Sequence, residues 1–296
     1  MMAMQDKMAM GADYSLWDNE VSTPQRVDFR QARAAGLSFV GIKASHGIFA
    51  DRDFIYNWQV AKDAGVPRMA YHYLTWDRSM RQQMEFFCGL LAGDCGELPP
   101  VIDFESRVNA PDRMVASANL LTALEYVNHA LSVIPMIYTS NGYWKDYGNN
   151  ATQFMFYPLW IAHYGVESPM VPRPWSQWDF WQYTDRGPGE VYGSEAKMVD
   201  LNWYCGSEDE LKERFKIGSP PLPPTVGVKQ EWRARSRINI RSAPSTGAKV
   251  VGALAIGEVV NATDYVAANG YNWIQHDRGW SSIGKVSSMM MEVVNA

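Results

Sequence analysis

Along the first two thirds of the chain, short continuous apolar runs alternate with longer stretches whose apolar residues recur every three or four positions. The runs at 39–44 (FVGIKA), 68–74 (RMAYHYL), 100–104 (PVIDF), 135–139 (PMIYT) and 159–163 (LWIAH) are mostly flanked by Gly or Pro, as expected of strands buried on both faces of a parallel sheet. Residues 53–64 and 112–130 carry helical spacing, and each stretch opens on an aspartate suited to a cap or a first turn. The alternation predicts an α/β fold of βα units from Gly11 to about Phe215. After Thr139 the helical stretches shorten, and strand-like runs at 181–183 and 198–201 follow one another without a full helix between them. A regular eightfold barrel is therefore not expected.

The pattern breaks at 218–227 (GSPPLPPTVG), whose prolines favour an extended spacer. Beyond it, short strand candidates at 237–240, 250–255, 259–263 and 273–275 are separated by turn residues, which predicts a small β barrel. About seventy residues bury only a modest core, so a binding module is expected there rather than an enzyme. The division is thus 1–10 as a leader, 11–217 as the larger domain, 218–228 as a linker and 229–296 as the small domain.

Charge changes this picture little. Lys and Arg number 27 against 32 Asp and Glu, so neither nucleic acid nor anionic membrane is a natural partner. From Ser219 onward, however, eight basic residues face five acidic ones, a mildly basic tail on an acidic body. Three cysteines without a C-x-x-C pair and five scattered histidines point to reduced thiols, with no metal and no cofactor. The opening MMAMQDKMAM has no apolar run of signal-peptide length, so synthesis as a cytoplasmic chain is expected.

The sharpest chemical feature is Val101-Ile102-Asp103-Phe104-Glu105, an apolar run ending in two carboxylates one residue apart. Strand alternation puts both on one face with Cα atoms roughly 6 to 7 Å apart, where one can stay protonated as general acid while the other ionises. The alternative is that they cap the next helix or pair with Arg107. Asp13, at the end of the first candidate strand, and Asp200, after the last, make four acids at strand ends, each costly near a barrel interior unless paired or functional. Tyr71, Tyr138, Trp160, Gln182 and Asn202 also fall at strand ends, where they are candidates for lining a binding groove or simply for packing. His72, in a buried strand, reads as a hydrogen-bonded core residue.

GADYS, FVGIKAS, AYHYL, LPPVIDFE, PMIYTSNGYW, PLWIAHYG, FWQYT and VDLNWY occur in the order and rough spacing of the glycoside hydrolase family 25 muramidases, which the chain resembles from about Gly11 to Tyr204. The resemblance implies an irregular TIM-like barrel of five βα units followed by three strands. It also implies hydrolysis of the β-1,4 bond between N-acetylmuramic acid and N-acetylglucosamine, with net retention and help from the substrate's acetamido group. By position it makes Glu105 the general acid and base, with Asp103, Asp13 and Asp200 as the other carboxylates. Spacing alone does not decide between retaining and inverting chemistry. The run INIRSAPS with VVGALAIGE and RGWSS resembles bacterial Src-homology-3-like domains, which implies binding to wall peptide. A monomeric phage endolysin released at host lysis is the resulting expectation. A catalytically dead wall-binding scaffold and a barrel acting on another glycan remain alternatives. The residues before Gly11 match nothing in the family, and DYS stands where an apolar residue commonly follows the aspartate.

Overall fold

The computed structural model describes residues 8–16, 27–217, 230–268, 271–285, 288–289 and 291–293. The expected linker and the first seven residues of the expected leader lie outside them. By internal contacts the chain divides into two compact units, Met1–Gly218 and Ser219–Ala296.

In the first unit, strands and helices alternate as β1 (Met10–Tyr14), α1 (Phe29–Ala34), β2 (Leu37–His46), β3 (Phe49–Ala50), α2 (Phe54–Asp63), β4 (Arg68–Tyr73), α3 (Met80–Leu90), β5 (Val101–Asp103), α4 (Arg113–Leu131), β6 (Met136–Ser140) and α5 (Asn141–Tyr147). A 3-10 turn, Thr152–Phe156, precedes β7 (Leu159–Ala162), β8 (Phe180–Pro188) and β9 (Met198–Tyr204), and α6 (Glu208–Phe215) closes the unit. The strand order β1-β9-β8-β7-β6-β5-β4-β2 is closed by pairing of β1 with β2, giving an eight-stranded barrel to which β3 adds a short hairpin. The strands run parallel from β1 through β2 to β8, and β9 runs antiparallel to both neighbours. Five βα units followed by three strands is the irregular barrel implied by the resemblance.

Local chemistry explains the helices. The Asp112 carboxylate accepts from the Met114 and Val115 N–H groups at the start of α4. At α3, Ser79 and Gln82 form a reciprocal capping box, as Ser207 and Glu210 do at α6. Asp53 precedes α2 without a side-chain capping bond. Outward-facing strand residues such as Val40, Ile42, Ile102 and Ile137 pack with Phe87, Leu120 and Leu124 of the helices into the larger core.

The lumen holds a second core. Phe39, Met69, Val101, Met136, Phe180 and Tyr204 point inward at the lower end of the barrel. Arg68, fully buried at the foot of β4, is satisfied by bidentate bonds to Asp94 and Glu97, by the Trp58 carbonyl and by the Trp58 ring 4.3 Å away. Higher up, a Cβ on Gly41 would lie 2.9 Å from Asp13 Cβ and 3.1 Å from the Trp160 ring, so only glycine lets that indole cross the lumen.

The second unit is all-β among the described residues. A three-stranded sheet joins β13 (Val259–Ala262), β10 (Gln230–Ala234) and β18 (Met291–Val293). The other sheet joins β12 (Val250–Leu254), β11 (Ile238–Arg241), β16 (Gly279–Lys285), β15 (Tyr271–His276) and β14 (Asp264–Ala268), with β17 (Ser288–Met289) paired to β16. Trp232, Ile238, Ile240, Leu254, Val260 and Ile274 form its core.

Candidate active site

Going up the lumen, apolar side chains give way to polar and then charged ones. The aromatic layer comes first: Trp160 stands edge-on to Tyr138, with ring centroids 4.9 Å apart, and to Tyr71, 6.2 Å away. Above it the strands end in acids. Asp13 on β1 pairs in register with Asp200 on β9. Asp200 lies inside β9 rather than after it. Because β9 is antiparallel, its N-terminal end shares the barrel face at which the parallel strands terminate, and the C-terminal face of such a barrel is where functional groups gather.

One carboxamide joins this wall together. Gln182, buried on β8, donates from Nε2 to Asp13 Oδ2 at 2.9 Å and to Asp200 Oδ2 at 3.2 Å. Its Oε1 accepts from the Tyr138 hydroxyl at 2.8 Å and the Tyr164 hydroxyl at 2.6 Å. The flipped amide would turn its oxygen toward two carboxylates, so the network itself sets the orientation. Asn202 donates to the same Asp13 oxygen at 2.8 Å and accepts from the Trp160 indole N–H at 2.8 Å. Asp13, Tyr138, Trp160, Gln182, Asp200 and Asn202 thus form one hydrogen-bonded cluster, and Tyr71 touches it through Trp160.

Asp103 and Glu105 stand on the other side of the lumen. Strand β5 stops at Asp103, yet the alternation runs on: Phe104 N–H donates to the Tyr138 carbonyl, its own carbonyl accepts from Thr139 Oγ1, and its ring packs outward. Both acids therefore stay on the lumen side, Asp103 buried and Glu105 half-buried. Burial pushes the Asp103 carboxyl well above the ordinary carboxylate range, the Glu105 charge adds to the rise, and the Lys43 ammonium opposes it. Glu105 is raised too, by burial and again against Lys43. Asp103 Oδ1 is buried and has no hydrogen-bond partner among the described residues. Neither acid is taken by Arg107, which pairs with Asp146 at 3.0 Å.

His72 lies outside the lumen, fully buried, with Nδ1 bonded to Ser45 Oγ and Nε2 to Gln83 Oε1, and burial lowers its pKa to about 4. It is a neutral core histidine. Two residues escaped the sequence reading, Lys43 and Tyr164. Each carried a signal in the alternation: Phe39, Gly41, Lys43 and Trp160, Ala162, Tyr164 are the inward rows of β2 and of β7 with its extension. A lone lysine in an otherwise apolar strand, buried here 5.1 Å from the Tyr73 ring, was the plainer of the two. Among the described residues, no group of His, Cys, Asp and Glu is arranged to hold a metal ion. The three cysteines are free.

Comparison with known proteins agrees with this geometry. Residues 12–190 match the family described as Glycosyl hydrolases family 25. The chain is 31% identical over 203 residues to "Uncharacterized protein YegX" of Escherichia coli O157:H7, covering 68% of this chain and 71% of that one. It is also 31% identical over 214 residues to Lysozyme M1 of Streptomyces globisporus, covering 68% and 69%. Among solved structures, the bacterial lysozyme of Streptomyces coelicolor superposes with a TM-score of 0.60 at 26% identity, over 69% of this chain and 94% of that one. A closed barrel of five βα units and three further strands, with acids gathered at one mouth and a family match over more than half its length, makes this chain a member of glycosyl hydrolases family 25 and a glycoside hydrolase.

Proposed function

We propose that the chain is a lysozyme, an N-acetylmuramidase that cleaves the β-1,4 bond between N-acetylmuramic acid and N-acetylglucosamine in peptidoglycan with net retention. The observation that carries this reading is the Asp103–Glu105 pair, two acids held above the ordinary carboxylate range at the mouth of a family 25 barrel. Such a pair keeps a proton at pH values where a solvated carboxylate has lost it, which is what a general acid needs. The half-buried Glu105 gives that proton to the glycosidic oxygen as the bond to the anomeric carbon breaks. The substrate's acetamide oxygen attacks the anomeric carbon from the other side, forming a cyclic cation, while Asp103 takes a hydrogen bond from the acetamide N–H. That bond fills the unpartnered acceptor Oδ1, and by favouring ionised Asp103 it keeps the shared proton on Glu105. Glu105, now ionised, removes a proton from the water that opens the cation. Asp13 and Asp200 supply negative charge on the facing wall, where Gln182 and Asn202 hold them. Tyr71, Tyr138 and Trp160 underlie the sugar. One copy of the chain carries every group named, so the proposed reaction needs no second copy, in keeping with a monomer.

In this reading residues 229–296 are a bacterial Src-homology-3-like unit that binds wall peptide, supported by its antiparallel sheets around a small core. The pairing of barrel and small β unit supports an endolysin released at host lysis. Cytoplasmic expression that lyses the host only when a pore-forming protein is co-expressed bears that out, and lysis without the pore goes against it.

The enzymatic reading is tested by digesting purified peptidoglycan, reducing the products with borohydride and identifying the new ends by mass spectrometry. Reduced muramic acid ends are expected from the unaltered chain and none from Glu105→Gln, with fold and wall binding kept. Reduced glucosamine ends from the unaltered chain would overturn the bond assignment.

A further inference from the structure

The small β unit has a cleft whose chemistry the reaction above does not use. It measures about 440 Å³ and lies on the face of the larger sheet turned away from the core. Strand β11 alternates: Ile238 and Ile240 enter the core, while Arg237, Asn239 and Arg241 line up on the other side. The two guanidinium-bearing positions are four residue steps apart along the strand, roughly 13 Å of extended backbone. Ser282 of β16 and Trp273 of β15, paired in register, continue the floor, and Thr246 stands at the rim. Trp273 is buried, although it faces away from the core residue Ile274. Ile238 and the buried Trp273 ring contribute apolar atoms beneath a cleft whose other lining residues are polar.

The charge there is one-sided. Among the described residues, none that lines the cleft is acidic. Arg237 is exposed and makes no ion pair or hydrogen bond among the described residues, whereas Arg278 pairs with Glu258 elsewhere on the unit. Arg241 uses one guanidinium nitrogen on the Ala248 carbonyl, which holds the rim loop and leaves its other donors toward the cleft. Two planar cations along one strand suit carboxylates, which guanidinium binds with two parallel hydrogen bonds. Asn239 offers a donor and an acceptor for a peptide group.

We infer that this cleft binds an extended wall peptide through its free carboxylates, with Arg237 and Arg241 as the reading residues. The inference deepens the wall-binding role proposed for residues 229–296 and rests on that reading. Its commitment is to carboxylates: glycan-only recognition would not need two cations, and a bare anion would not need the Asn239 carboxamide between them.

The test uses the full chain carrying Glu105→Gln in every arm, so that the wall is not digested, and measures binding to insoluble peptidoglycan stripped of other polymers. Arg237→Glu is expected to weaken binding about tenfold or more, the factor that corresponds to loss of one charge-assisted contact, and Arg237→Gln to weaken it less. On peptidoglycan whose carboxyl groups have been converted to amides, all three proteins are expected to bind equally and weakly. Unchanged affinity of Arg237→Glu for native wall, or full affinity of the Arg237-intact chain for amidated wall, overturns the inference. Arg237 is exposed, so its replacement leaves the core of the unit in place. Hydrolysis of soluble glycan chains by Arg237→Glu with Glu105 intact is measured separately and is expected to match the unaltered chain. Failure of the unaltered chain in that assay would count against the muramidase reading alone and leave the binding result standing.

Discussion

Asp103 keeps its proton to higher pH than a solvated aspartate because burial and the Glu105 charge both disfavour ionisation. This has a consequence for stability as well as for catalysis. An acid whose pKa is higher in the folded state binds more protons there than in the unfolded chain, so stability falls as pH rises from the ordinary aspartate value, about 4, through the raised folded one. Below that window both states are protonated and nothing is lost, and above it the full penalty remains. Asp103→Asn removes the charge and keeps the shape. It is therefore expected to be inactive and yet more heat-resistant at neutral pH, with each kcal/mol worth about 2–4 °C of Tm in a domain of this size. The gain should shrink as the pH is lowered and vanish near pH 4. Thermal melts at a series of pH values check this, and a variant no more stable than the parent at pH 7 would show that burial of Asp103 is compensated by a partner.

At the level of elements, the site depends on β8, β9 and β1 lying side by side. Gln182, Asp200 and Asp13 sit on three different strands, and Tyr138 and Tyr164 reach the same carboxamide from β6 and the extension of β7. Gln182→Glu preserves size but replaces donors with a carboxylate facing two others. The expected loss is about 10²- to 10³-fold in kcat near neutral pH, comparable to removal of a preorganised donor, and it should grow as pH rises because the added acid ionises. Tyr164→Phe, which removes one of two phenols, should cost less than about tenfold by the same comparison. Equal losses at every pH in Gln182→Glu would mean that the carboxamide does not govern the charge on Asp13 and Asp200. The strands themselves were readable from apolar runs, and Asp103, Glu105, Asp13 and Asp200 from acids interrupting those runs. Barrel closure was not readable from spacing, and it alone brings residues 13, 182 and 200 within hydrogen-bond distance. Tyr164 was missed because β7 ends at Ala162 and the sequence reading took no account of alternation beyond the apolar run. Lys43 was missed because its role is electrostatic, opposing the rise of two acids that follow it by some sixty residues.

The whole molecule divides between Gly218 and Ser219 into a barrel with more acids than bases and a smaller β unit with more bases than acids. With the wall-binding role proposed for residues 229–296, a second binding unit on the same chain would raise the local concentration of the barrel at a repeating polymer without touching the reaction. The two units should then separate by substrate form. Removing residues 219–296 is expected to lower lysis of whole cells by about tenfold or more, since linked binding can raise avidity by 10² to 10⁴ when both sites engage. On soluble glycan fragments, where one site is enough, kcat and KM should stay close to those of the full chain. The comparison is made with both forms at equal concentration and with salt raised in steps, because ionic strength weakens exposed charge pairs and should reduce the full chain's advantage on cells. A truncated chain that lyses cells as fast as the parent would mean that the barrel finds the wall unaided, and equal losses on cells and fragments would mean that residues 219–296 support the barrel's own fold.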